Sequence, residues 1–139
     1  MTLPTPTLTT ERLLLRPLRA DDAEALYAQH SDPLVLRYWD APAWTDPSRA
    51  TVLLEGSRRM SEEGTGVRVA VERTSDGAFL GWVTLNSWNP AFRSASLGYC
   101  YGQHAWGQGY ATEAAVALLD WAFGTLDLNR VQAETDTRN

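Results

Sequence analysis

The sequence has a single cysteine, Cys100, among 139 residues, so no disulfide can form within the chain, which agrees with a reducing compartment. No apolar run approaches a membrane span, and the N-terminus lacks both the basic start and the apolar stretch of a secretory signal. The expectation is a cytoplasmic protein. Basic charge is scarce: 12 Arg and Lys against 17 Asp and Glu leave a formal net charge of −5. That argues against general binding to nucleic acid or to an anionic membrane, since both need a basic surface. Any anionic ligand must be held locally. Repeats and low-complexity stretches are absent too. What remains is 44% hydrophobic and 21% charged residues, enough at this length for one domain with a real core. Only Met1 to Thr7, rich in Thr and Pro, reads as a flexible arm of a single domain spanning 1–139.

Arg12-Leu13-Leu14-Leu15-Arg16 is a short apolar run stopped by Pro17, which suits the end of a first strand. Asp21 or Asp22 can cap a helix running to about Gln29, with Ala23, Leu26 and Tyr27 on its buried side. Asp46 as cap and Pro47 at the first helical position predict a second helix that buries Val52, Leu53 and Met60 and ends at Gly64 and Gly66. From Val67 the period becomes two, and Ser75-Asp76-Gly77 supplies turn chemistry before a strand from Phe79 to Trp88. Asn89-Pro90 precedes a further strand from Ser94 to Tyr101, in which Gly98 suggests a bulge. Ala111, Ala114, Ala115, Leu118, Leu119 and Ala122 then form a small-residue stripe at helical spacing, with Gly124 as the expected stop. Arg130 to Thr135 reads as a last strand, parallel to the one before the helix. The expected fold is mixed α+β: a mostly antiparallel twisted sheet, flanking helices, and a β-α-β unit.

The most informative segment is Trp106-Gly107-Gln108-Gly109-Tyr110-Ala111-Thr112-Glu113, where two glycines open onto that helix. Glycine permits φ > 0 and close approach to the main chain, while the first helical amides lack intrahelical partners and sit at the positive end of the dipole. A phosphate or pyrophosphate would fit there. A dinucleotide-binding fold is one way to use such a turn, since Gly107-x-Gly109-x-x-Thr112 is one residue from its fingerprint and Glu134 stands where a ribose-binding acid is sought. The run of strands joined by short turns before it counts against that reading, because dinucleotide folds alternate strands and helices.

The order of elements resembles the GCN5-related N-acetyltransferases (GNAT family), in particular the branch of ribosomal-protein N-terminal acetyltransferases. The resemblance rests on Thr10 to Arg16, Leu97 to Tyr101, the segment Trp106 to Glu113, and Asn129-Arg130-Val131-Gln132-Ala133-Glu134-Thr135. It implies acetyl-CoA as donor, a primary amine as acceptor and direct transfer; no metal is expected. Gly107, Gln108, Gly109, Tyr110, Ala111 and Thr112 would then cradle the CoA pyrophosphate, with a hydroxyl from Thr112. Backbone groups of Tyr99, Cys100 and Tyr101 would pair with the pantetheine, and Asn139 is a further cofactor-side position. Trp106 stands where many members carry Gln or Arg, and is expected to pack against the helix. Glu113 reads as a residue that complements the helix dipole.

An amine attacks only when neutral, so transfer needs a base, an oxyanion donor and an acid for the leaving thiolate. The resemblance nominates Glu134 as the base, because it precedes Asn139 by five residues as in N-terminal acetyltransferases of this family. An amide near Tyr99 or Cys100 would serve the oxyanion. Cys100 itself reads as a small core residue, His104 as a loop residue beside the phosphates, and His30 as a solvent-facing or capping one. Family members supply the acid from a later helix, so the sequence is expected to be truncated at its C-terminus, with the last helix and strands missing. The alternative function is a module that binds CoA or a partner without turnover. An open sheet edge would be covered by a second copy, giving a homodimer. Trp39, Trp44, Trp82 and Trp88 would line an acceptor pocket or fill the core, and the negative charge favours a cationic amine, either a peptide N-terminus or a small molecule.

Overall fold

The computed structural model describes residues 2–37 and 42–133. Its elements are β1 (Leu8–Thr9), β2 (Leu13–Pro17), α1 (Ala23–His30), α2 (Ser48–Glu63), β3 (Val67–Arg73), β4 (Phe79–Asn89), β5 (Ser94–Tyr101), α3 (Tyr110–Thr125) and β6 (Arg130–Ala133). The strands form one sheet in sequence order, antiparallel from β1 to β5. β6 runs parallel to β5, with Leu97 opposite Ala133. The expected meander, parallel return and mixed architecture are therefore present.

The two faces of the sheet carry separate cores. Val67, Val69 and Val71 face α3, where Ala114, Leu118 and Ala122 bring that helix close to the sheet. On the opposite face Trp82 and Cys100 pack with Leu26 of α1, Ala50 of α2, and Val35 and Leu36 between the helices. Gly124 does not stop α3, because the Leu126 amide still reaches Ala122 O at 2.8 Å. In α2 the buried residues are Ala50 and Ser57, with Leu53 and Leu54 partly buried against the same core, whereas Val52 is 63% exposed.

Several local expectations change. Asp22 stands at the N-cap of α1 but gives it no side-chain bond; its carboxylate accepts the Arg19 amide at 2.7 Å and is forked by buried Arg16 at 2.8 and 2.9 Å. Gly98 pairs in register with Thr84, and the irregularity of that ladder lies instead between Asn86 and Asn89. The N-terminal segment is anchored, with Leu3 buried and both its backbone groups bonded to Ser61.

Candidate functional site

At the head of α3, Gly107 and Gly109 take φ of 73° and 79°, conformations that residues with a Cβ avoid. Gly109 is the N-cap and supplies no side chain to the helix start, so the first intrahelical-type bond is Glu113 N to Gly109 O at 3.1 Å. Among the described residues, none accepts a hydrogen bond from the amides of Gly107 to Thr112. Consecutive bare amides at the positive end of a 16-residue helix suit a phosphate-type anion, and no carboxylate competes inside the turn. Glu113 turns outward: its carboxylate accepts Thr10 Oγ1 at 2.5 Å, Arg12 N at 3.0 Å and Arg12 Nε at 2.7 Å. The Thr10 bond, with those from Arg12, holds its pKa below the usual carboxylate value despite partial desolvation. The expected dipole partner is thus also a buckle joining the start of β2 to the start of α3.

These amides open on a cleft of about 380 Å³. Tyr99, Cys100 and Tyr101 line it together with Gly107, Gly109, Tyr110, Ala111 and Thr112, so all but one of the candidate binding residues among the described residues meet there. Gln108 is the exception; its side chain reaches back to His104 O at 2.9 Å. Along β5 the candidates are not equivalent. The Gly102 amide bonds to Leu80 O, and alternation along an antiparallel ladder then turns the backbone groups of Cys100 toward Trp82 of β4. Cys100 O also accepts Gln29 Nε2 at 3.1 Å. Cys100 is therefore corrected from a backbone donor to a wall residue, 3% exposed, with burial pushing its thiol up to about 11. Tyr99 and Tyr101 direct their backbone groups to the β6 side, where the described pairing ends at Leu97. Tyr101 O is already occupied by Trp106 Nε1 at 3.0 Å. Trp106 is consequently tethered to β5 and 48% exposed at the cleft, rather than sunk against the helix.

The facing wall had no assigned role in the sequence. Leu34, Val35 and Arg37, after α1, line it, and Asp32 ties that segment to the cleft rim through Gln103 Nε2 at 2.5 Å. The apolar run directly after Pro33 was the available signal. His104 does not enter the cleft; its Nε2 lies 3.0 Å from Phe79 O. His30 is overturned as a solvent or capping residue. It is 3% exposed, stacks on Trp44 at 4.2 Å, and its Nε2 accepts Trp82 Nε1 at 3.0 Å. Burial, then the Arg68 charge, lowers its pKa to about 4, which keeps it neutral and able to accept. Trp44 and Trp82 belong to this core and Trp88 packs against the other. Glu134, Asn139 and Trp39 lie outside the described residues.

No described helix is long and apolar enough to cross a membrane. A family model described as an acetyltransferase (GNAT) domain matches residues 12–139. The chain is 34% identical over 133 residues to an uncharacterised N-acetyltransferase, p20, of Bacillus licheniformis, covering 96% of this chain and 75% of that protein. It is 29% identical over 126 residues to YdaF of Bacillus subtilis, named as a candidate ribosomal N-acetyltransferase, covering 87% of this chain and 67% of that one. Among solved structures it resembles a candidate ribosomal-protein-serine acetyltransferase from Vibrio cholerae, with TM-score 0.85, 29% identity, and coverage of 99% of this chain and 78% of the other. The match of an acetyltransferase domain to nearly the whole sequence, with relatives named as N-acetyltransferases, shows that this chain is an acetyl-CoA-using N-acetyltransferase belonging to the GNAT family.

Proposed function

We propose that the protein transfers an acetyl group to a primary amine on a peptide N-terminus or a small cationic molecule, by direct attack, at the cleft between β5 and α3. The carrying observation is the run of unbonded amides from Gly107 to Thr112 opening on the same cleft as Tyr99 and Tyr101. In this reading those amides hold the pyrophosphate, and the carbonyl of Tyr99 with the amide of Tyr101 holds the pantetheine arm. Bound acetyl-CoA supplies the activated acetyl thioester. The remaining N–H of Tyr99 donates to developing negative charge, and Val35 and Cys100 help exclude water from it. Glu134 takes the proton of the incoming ammonium. This assignment is supported by the parallel register of β6, which sets Ala133 opposite Leu97 on the cofactor strand. Asn139 is kept on the cofactor side.

The likeness to ribosomal acetyltransferases favours a peptide acceptor. The outer edge of β6, which no described strand covers, is proposed to pair with a second copy, so the mass in solution should be that of a dimer. CoA at a hundredfold excess over its Kd should add about 2.7 kcal/mol and raise Tm by several degrees. A folded sample that gains nothing from CoA or acetyl-CoA sinks the cofactor reading. If turnover keeps its pH profile in Glu134→Gln, the base lies elsewhere.

A further inference from the structure

We infer that Arg12 is a positioning residue of the cofactor site, which aims the Gly109 amide into the cleft by holding the Gln108 carbonyl on the opposite side of the turn. This rests on the reading above that the turn receives pyrophosphate. A trans peptide carries its C=O and the following N–H on opposite edges, and no described peptide bond is cis. Arg12 Nη1 donates to Gln108 O at 2.9 Å, so the Gly109 N–H in the same peptide plane faces away from Arg12. The cleft lies on that far side: Gly107, Gly109 and Tyr110 line it, whereas Arg12 and Gln108 do not. A Cβ built on Gly109 would point back at Arg12, 3.5 Å from Nη2.

The turn needs such a hold. Gln108 is flanked by Gly107 and Gly109, and glycine makes rotation of the intervening peptides cheap. A flipped Gln108–Gly109 peptide would present a carbonyl oxygen to an anion where an amide should stand. The guanidinium opposing that flip is itself immobilised. Its Nε is bound to Glu113 at 2.7 Å and its Cζ lies 4.4 Å from the Tyr110 ring centroid. Glu113 is in turn fixed by Thr10 and by the Arg12 amide. The planar fork serves Glu113 and Gln108 at once, which a lysine ammonium on a flexible stem cannot reproduce.

The test measures Kd by calorimetry on the whole chain for CoA and for pantetheine, which lacks the pyrophosphate. Arg12→Met should weaken CoA about tenfold and Arg12→Lys about threefold, while pantetheine changes by less than about twofold. Because both ligands report on the same folded fraction, their ratio is insensitive to loss of fold. In ligand-free Arg12→Met the Gly109 amide resonance should shift or broaden as its peptide samples both orientations. Equal weakening of both ligands, or an unchanged Kd for CoA, overturns the assignment. A wild-type chain that binds no CoA removes the cofactor reading first, and is distinguished by failing before any substitution is made.

Discussion

Arg12 and Arg16 leave the same short stretch of chain and both grip carboxylates, but in opposite surroundings. The Arg16 side chain is 7% exposed; it forks Asp22, reaches Glu72 at 3.3 Å and donates to Pro17 O at 3.0 Å. Arg12 is 42% exposed, and what it holds besides Glu113 is a carbonyl of the ligand-binding turn. A buried guanidinium needs a complete set of partners because desolvation would otherwise dominate, so Arg16 is committed to joining β2, β3 and the turn before α1. A half-exposed one keeps water for its spare donors and can be spent on orientation. The fold rests on the first, the cofactor turn on the second.

Breaking the pairs should separate these roles. Arg16→Met leaves the Asp22 carboxylate buried without its fork and should cost about 3–5 kcal/mol of stability, read from urea unfolding. Arg12→Met removes a partly exposed pair and should cost about 1 kcal/mol or less. Burial alone would raise the Asp22 carboxyl, but Arg16 and the Arg19 amide hold it below its ordinary value. Its folded pKa is thus depressed, so its contribution is present above the ordinary carboxylate range and is lost as pH falls through the folded value. Equal losses for Arg12→Met and Arg16→Met would erase the contrast.

His30 extends the comparison to a group that burial has discharged. Its folded pKa of about 4 lies below the ordinary 6.5, so the neutral form is favoured by folding. The stability it contributes is present in full above about 6.5 and is lost progressively as pH falls toward 4, a total on the order of 3 kcal/mol. Unfolding free energy measured between pH 7 and 4 should fall accordingly, and His30→Gln should flatten that slope. A wild-type slope no steeper than the variant's would place a charged His30 in the folded state.

What could be read in advance divides along physical lines. Periodicity and punctuation are local, so the α3 stripe from Ala111 to Ala122, the meander from Val67 and the glycine turn were legible. Pairings between distant segments were not: Thr10 and Arg12 meet Glu113 across a separation of about a hundred residues, and no window contains both. His30 was misjudged because a lone histidine at a helix end carries no signal of the Trp44 and Trp82 rings that enclose it. Cys100 is the small core residue expected, but the role given to its backbone fails because the sequence places a residue on a strand without saying which neighbour its backbone faces. The Gly102 to Leu80 bond settles that phase.

The smallest expected difference is between two substitutions at the turn itself. Gly109 has φ of 79° and a Cβ there would meet only Arg12 Nη2, at an ordinary 3.5 Å, so a side chain is opposed by conformation rather than by contact. Gly109→Ala should cost about 1–2 kcal/mol from the left-handed backbone alone. Asparagine tolerates that region better than alanine, so Gly109→Asn should cost less despite its greater bulk. If bulk rather than φ were limiting, the order would reverse. Both variants should remain folded, and Arg12 should still hold the Gln108 carbonyl in the asparagine one. CoA affinity in Gly109→Asn should therefore exceed that in Gly109→Ala, a ranking that calorimetry can read directly.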